Sequence, residues 1–140
     1  MGAWGANAFE NDDAADWLSD LVDTEDDTDP VRFALEAVIE EDEPVEAPES
    51  SMALAAAEVV AAALGRPSPK LPEDVQSWLP RQRVKVIGEL RDLALDAVRT
   101  VKENSELRDL WNESDPAEWL KEVEDLEKRL RGSAKSKGDA

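Results

Sequence analysis

The chain has 140 residues and a formal net charge of -18, with neither cysteine nor histidine. That length gives one domain room for a proper core, while the missing residue types exclude a disulfide framework, a thiolate nucleophile, a Cys or His zinc site and the usual general base. No apolar run approaches the ~20 residues of a membrane span, and the start lacks the basic and long apolar parts of a secretory signal. Ala6 stands where a myristoylation motif after Gly2 wants Ser or Thr. The expected location is cytoplasmic, with no membrane as partner.

In chain order, Asn11 or Asp12 caps a helix through DDAADWLSDLV, whose Trp17, Leu18, Leu21 and Val22 share one face. After the turn TEDDTDP, Asp29 caps and Pro30 opens a second helix, with Val31, Leu35, Val38 and Ile39 on its stripe. EDEPVEAPES, acid-rich with two prolines, reads as an exposed connection. A helix restarts at Ser50 or Ser51, runs through MALAAAEVVAAAL and stops at Gly65 ahead of Pro67. PEDVQSWLP gives one or two helical turns anchored by Trp78.

A long helix is expected from about Arg83 to Glu103, with Ile87, Leu90, Ala94, Ala97, Val98 and Val101 inward and Gly88 permitting a close helix contact. Asn104 and Ser105 break it, and SELRDLW begins a short helix capped by Ser105. The last helix opens with Asp115 and Pro116 and carries the seam Trp119, Val123, Leu126 and Leu130. No stretch alternates with period two. The fold class is therefore all-α, a single-domain bundle of about five or six helices over residues 1–131, followed by a flexible polar tail at 132–140.

The charge is uneven. Residues 1–78 hold 20 acids against Arg32, Arg66 and Lys70, a net of -17, and residues 79–140 hold 14 acids against 13 bases, a net of -1. Such a field repels nucleic acid and favours a basic protein surface as partner, with residues 20–29 and 40–49 forming much of the docking face.

Glu58 is the one polar side chain between Met52 and Leu64. A helix apolar on every side belongs in the middle of a bundle, so this carboxylate is buried and needs an arginine, backbone N–H groups, an indole N–H or a cation. The N-terminal Trp4, flanked by Gly2 and Gly5, supplies an indole donor, and it or the amides of its loop are the expected partner of Glu58. The acids Asp12 and Asp16 share a helix face; with Asn11, Glu58 and Glu106 they form a possible small-ligand or divalent metal site. An EF-hand is excluded, because Thr28 replaces the turn glycine and Ala34 the bidentate glutamate. In NSELRDLW, Ser105 and Glu106 make a charged helix corner. No phosphate-binding glycine loop or nucleophile elbow occurs.

Three stretches, MGAWGANAFENDDAADWLSDL, ALAAAEVVAA and NSELRDLW, in that order and spacing, resemble the bacterial family known as domain of unknown function 4259. The resemblance covers roughly residues 1–130. It implies a small single-domain cytosolic protein, brings the Trp4 loop, Glu58 and Ser105 together in space, and assigns no activity. The residues and the resemblance together give a non-enzymatic, antitoxin- or immunity-like binding module without a cofactor, its oligomeric state open. The rival reading is a carboxylate-based metal or ligand site centred on Glu58.

Overall fold

The first element opens with acids and alanines together, DDAAD, and only one side of it can leave water. In the computed structural model, which describes residues 12–24, 28–39, 46–68, 71–82, 84–103, 105, 109 and 116–131, this segment is α1 (Asp12–Leu21). Its Ala14, Leu18 and Leu21 are buried, while Trp17 and Val22 are half-buried at the edge of the face. The turn that follows is closed by the Thr24 amide and hydroxyl, which both donate to the Leu21 carbonyl at 2.9 and 2.8 Å.

α2 (Asp29–Ile39) buries Val31, Leu35 and Val38. Ile39, expected on that stripe, lies 37% exposed at its end. α3 (Ala47–Ala63) begins three or four residues before the start expected at Ser50 or Ser51, because Pro48 fits a first helical turn and Glu46 can serve as N-cap without a side-chain bond. Ser50 is consequently inside the helix, fully buried, its hydroxyl donating back to the Glu46 carbonyl at 2.9 Å.

α3 is the central rod. It packs against α1, α2, α5 (Val84–Gly88), α6 (Arg91–Glu103) and α7 (Pro116–Arg131). Its side chains explain how: Ala53, Ala55, Ala56, Ala57 and Ala61 are at most 1% exposed, so neighbouring backbones approach closely and the gain comes from dense contact rather than large side chains. The rod ends in a Schellman motif: Arg66 N–H donates to the Ala61 carbonyl at 2.9 Å and Gly65 N–H to that of Ala62 at 3.0 Å. Gly65 takes φ +87°, which suits a residue without Cβ.

α4 (Glu73–Trp78) and a 3₁₀ turn (Leu79–Arg81) cross the bundle as the predicted turns between prolines. Trp78 is buried, and its indole N–H donates to the Thr24 carbonyl at 2.8 Å, tying this crossing to the α1–α2 turn. The long helix expected over 83–103 is two. It breaks after Gly88, where Glu89 N–H is shared between the Lys85 and Val86 carbonyls and Leu90 N–H turns to Ile87. A glycine late in a short helix makes that interruption cheap. A Cβ on Gly88 would meet Leu64 Cδ2 at 3.2 Å, so the same glycine sets the close approach of α5 to the end of α3.

α6 buries Ala94, Leu95, Ala97, Val98 and Val101, and α7 buries the predicted seam of Trp119, Val123, Leu126 and Leu130. The architecture is all-α, with seven α-helices among the described residues, a little above the expected five or six. No helix among them is long and apolar enough to cross a membrane. Residues 132–140 and most of NSELRDLW lie outside the described residues.

Candidate functional site

Glu58 sits in the middle of α3 at 4% exposure, as a rod apolar all round requires. Its partner comes from the other end of the chain. Arg129 of α7 donates from Nη1 to Glu58 Oε1 at 2.8 Å and from Nη2 to Oε2 at 2.9 Å, a two-pronged bridge between planar groups. Nη1 also donates to the Arg66 carbonyl at 3.2 Å, and Nε to Asp125 Oδ2 at 2.8 Å one turn earlier on α7. Arg66 returns a longer bond, from Nη1 to the Arg129 carbonyl at 3.4 Å. The Schellman turn thus aims a backbone oxygen at the guanidinium that the rod's own carboxylate holds.

Burial pushes the Glu58 carboxyl above the usual carboxylate range, helped by the like charges of Asp125 and Glu122, while the hydrogen bonds and charge of Arg129 pull against it. For Arg129 burial works to lower the affinity for its proton, but the bonds to Glu58 and Asp125 outweigh it and hold the guanidinium charged above its ordinary range. Chemically this is a saturated ion pair spanning α3 and α7, with each Glu58 oxygen accepting a guanidinium N–H. Such a pair adds little net stability over apolar side chains of the same shape, but removing one partner leaves a buried charge uncompensated.

A second buried carboxylate lies between α6 and α7. Glu127, 5% exposed, accepts from Lys102 Nζ at 2.7 Å and lies 3.5 Å from Arg99 Nε. Neither Arg129, Asp125 nor Glu127 was singled out in the sequence. The available signal was the α7 spacing that sets Glu122, Asp125 and Arg129 on one side of the helix, beside the apolar seam.

The other predicted site residues divide. Asp16 lies on the exposed face of α1, whereas Glu58 is buried. Ser105 is buried at 2%; its hydroxyl donates back to the Val101 carbonyl at 2.6 Å, closing the end of α6, and its carbonyl accepts from Asp109 N–H at 3.3 Å. Trp4, Asn11 and Glu106 lie outside the described residues, as does the side chain of Asp12. No group of three or more acids that could hold a metal ion occurs among the described residues.

The described residues form a helical bundle organised around an alanine-rich rod, with a buried Glu–Arg bridge joining that rod to the last helix. The chain belongs to the family Domain of unknown function (DUF4259), whose pattern matches residues 2–122. Arg129 lies beyond that stretch. No curated protein and no solved structure matches the chain.

Proposed function

We propose that the protein is a non-enzymatic binding module whose acidic N-terminal half docks on a basic surface of another protein, in the manner of an antitoxin or immunity protein. The observation that carries this reading is a stripe of acid on α1 and the turn after it. Asp13, Asp16, Asp20 and Asp23 follow one another at three- and four-residue spacing, all exposed. None of them forms an ion pair among the described residues. Arg32, one of only three basic residues before position 79, is engaged by Asp29 at 3.0 Å and Glu36 at 3.9 Å, so it does not neutralise the stripe.

Unpaired carboxylates held in a row along a helix and the turn after it attract a cationic surface at long range and raise its rate of encounter. Glu73 and Asp74, exposed at the start of α4, extend the same sign of charge. The test is capture of a protein partner by the tagged chain, followed by titration of the purified pair. Raising salt from about 0.1 M to about 1 M, which shortens the screening length from ~10 Å to ~3 Å, should weaken binding at least tenfold. Changing Asp13, Asp16, Asp20 and Asp23 to asparagine should weaken it at low salt and flatten the salt dependence. A complex indifferent to both changes overturns the electrostatic docking.

A further inference from the structure

A groove lies between α1 and the α4 crossing, with a volume of about 160 Å³. Its floor is apolar: Leu18 and Val75 are buried there, Val22 is half-buried, and Ala15 and Pro72 carry the apolar lining out towards water. Ser19 of α1 and Asp74 of α4, both exposed, stand at its two edges. The walls are fixed to one another, because Trp78 at the end of α4 donates its indole N–H to the Thr24 carbonyl just past α1 at 2.8 Å. The groove is therefore formed before anything enters it.

Acid borders it on both sides. Asp16 stands one turn before Ser19 on α1, and Asp23 follows in the turn just past that helix. On α4, Asp74 is joined by Glu73. All four carboxylates are exposed, and none forms an ion pair among the described residues.

We propose that this groove receives an aliphatic side chain that the basic partner carries between lysines or arginines. The inference rests on the docking reading above and names its point of contact. Floor and edges select this occupant together: the floor takes hydrocarbon and has nothing to offer a cation, while the acidic edges favour positive groups on either side of it. An apolar centre inside a charged rim is also how protein interfaces are built. Size argues the same way. The space is below the ~300 Å³ at which small-molecule sites begin, yet a cavity of about 150 Å³ already holds a molecule the size of benzene. One leucine side chain fits that range.

The probe is an acetylated and amidated pentapeptide with leucine between two pairs of lysines, titrated into the full chain while NMR follows the Val22 and Val75 methyl signals. Saturable shifts of both are expected at millimolar peptide. Putting serine in place of the leucine, or glutamine in place of the lysines, should each weaken binding roughly tenfold. Ala15→Gln lays a longer, uncharged side chain over the groove and should bring the leucine peptide down to the affinity of the serine peptide. The buried Trp78 indole signal reports that this variant remains folded. Equal binding of the leucine and serine peptides, no saturation, or an unchanged leucine affinity in Ala15→Gln overturns the site. So does a Val75 signal that moves on simple dilution, which would place a second copy of the chain in the groove, or a Trp4 to Val75 cross-peak in the free chain, which would place the chain's own N-terminal segment there. The titration needs no partner, so its failure is separable from that of the docking reading: a salt-sensitive complex unaffected by Ala15→Gln keeps the acidic stripe and removes the groove.

Discussion

Replacing Arg129 by methionine should cost the fold about 3–5 kcal/mol, the range for removing one partner of a buried ion pair. The stem is kept, so little packing is lost, but Glu58 remains in the apolar rod at 4% exposure without its two donors. Removing both charges together, as Glu58→Leu with Arg129→Met, should return most of that stability. Urea midpoints of the parent and both variants check this, and a double variant no better than the single would show that shape rather than charge is at stake.

The pH dependence has a definite sign. Burial raises the Glu58 pKa above its unfolded value, so its contribution to stability is present below the unfolded pKa and is lost as pH rises through the folded one. In Arg129→Met the opposing pull of the guanidinium is gone and the rise is larger. The deficit relative to the parent should therefore be greatest at neutral pH and shrink as the carboxyl takes up a proton on acidification. A deficit that stays constant down to about pH 4.5 would mean that Glu58 is not the group left unpaired.

The second large effect is expected at Trp78. Cutting this buried side chain back to alanine should cost about 3–5 kcal/mol through lost transfer energy and the cavity left behind. In a domain of this size that lowers the melting temperature by about 10–17 °C. Phenylalanine keeps much of the ring but removes the N–H that reaches the Thr24 carbonyl at 2.8 Å, and should cost about 1–2 kcal/mol. A thermal melt of the two variants separates these parts. If they melt together, the hydrogen bond rather than the packing ties the crossing to the α1–α2 turn.

Much of the fold was legible because local chemistry decides it. Pro30 and Pro116 begin helices, Gly65 ends one, and the three- and four-residue repeat in α7 fixes its buried face. The break after Gly88 was not legible: the apolar stripe runs across it, and only the approach of Leu64 gives the glycine its meaning. Nor was the early start of α3, where acid and proline mask a first turn.

The candidate site shows the same division. That Glu58 is buried follows from its thirteen-residue apolar setting, Met52 to Leu64. That Arg129 pairs with it does not, because the two are 71 positions apart and nothing periodic distinguishes one arginine among 16 basic residues. The indole donor expected from Trp4 belongs to a segment outside the described residues. Glu49 escaped notice because it reads as one more acid of the exposed connection EDEPVEAPES, whereas it lies in the first turn of α3. That its Oε1 has no hydrogen-bond donor is visible only in the structure.

The uniformity of α3 has one more consequence. A rod of alanines looks nearly alike from every direction, so apolar contact alone distinguishes poorly between one rotation of it and the next, or between its present height and a slide by one turn. Glu58 is the one polar side chain on the rod from Met52 to its end, and Arg129 is the notch that reads it. A turn of the rod would carry the carboxylate away from the guanidinium and into hydrocarbon, so the bridge acts as a key that selects one setting among several of similar packing energy. The charge-free double variant would then keep its helices and most of its stability while losing that unique setting, and its methyl spectrum should broaden where the parent's is sharp.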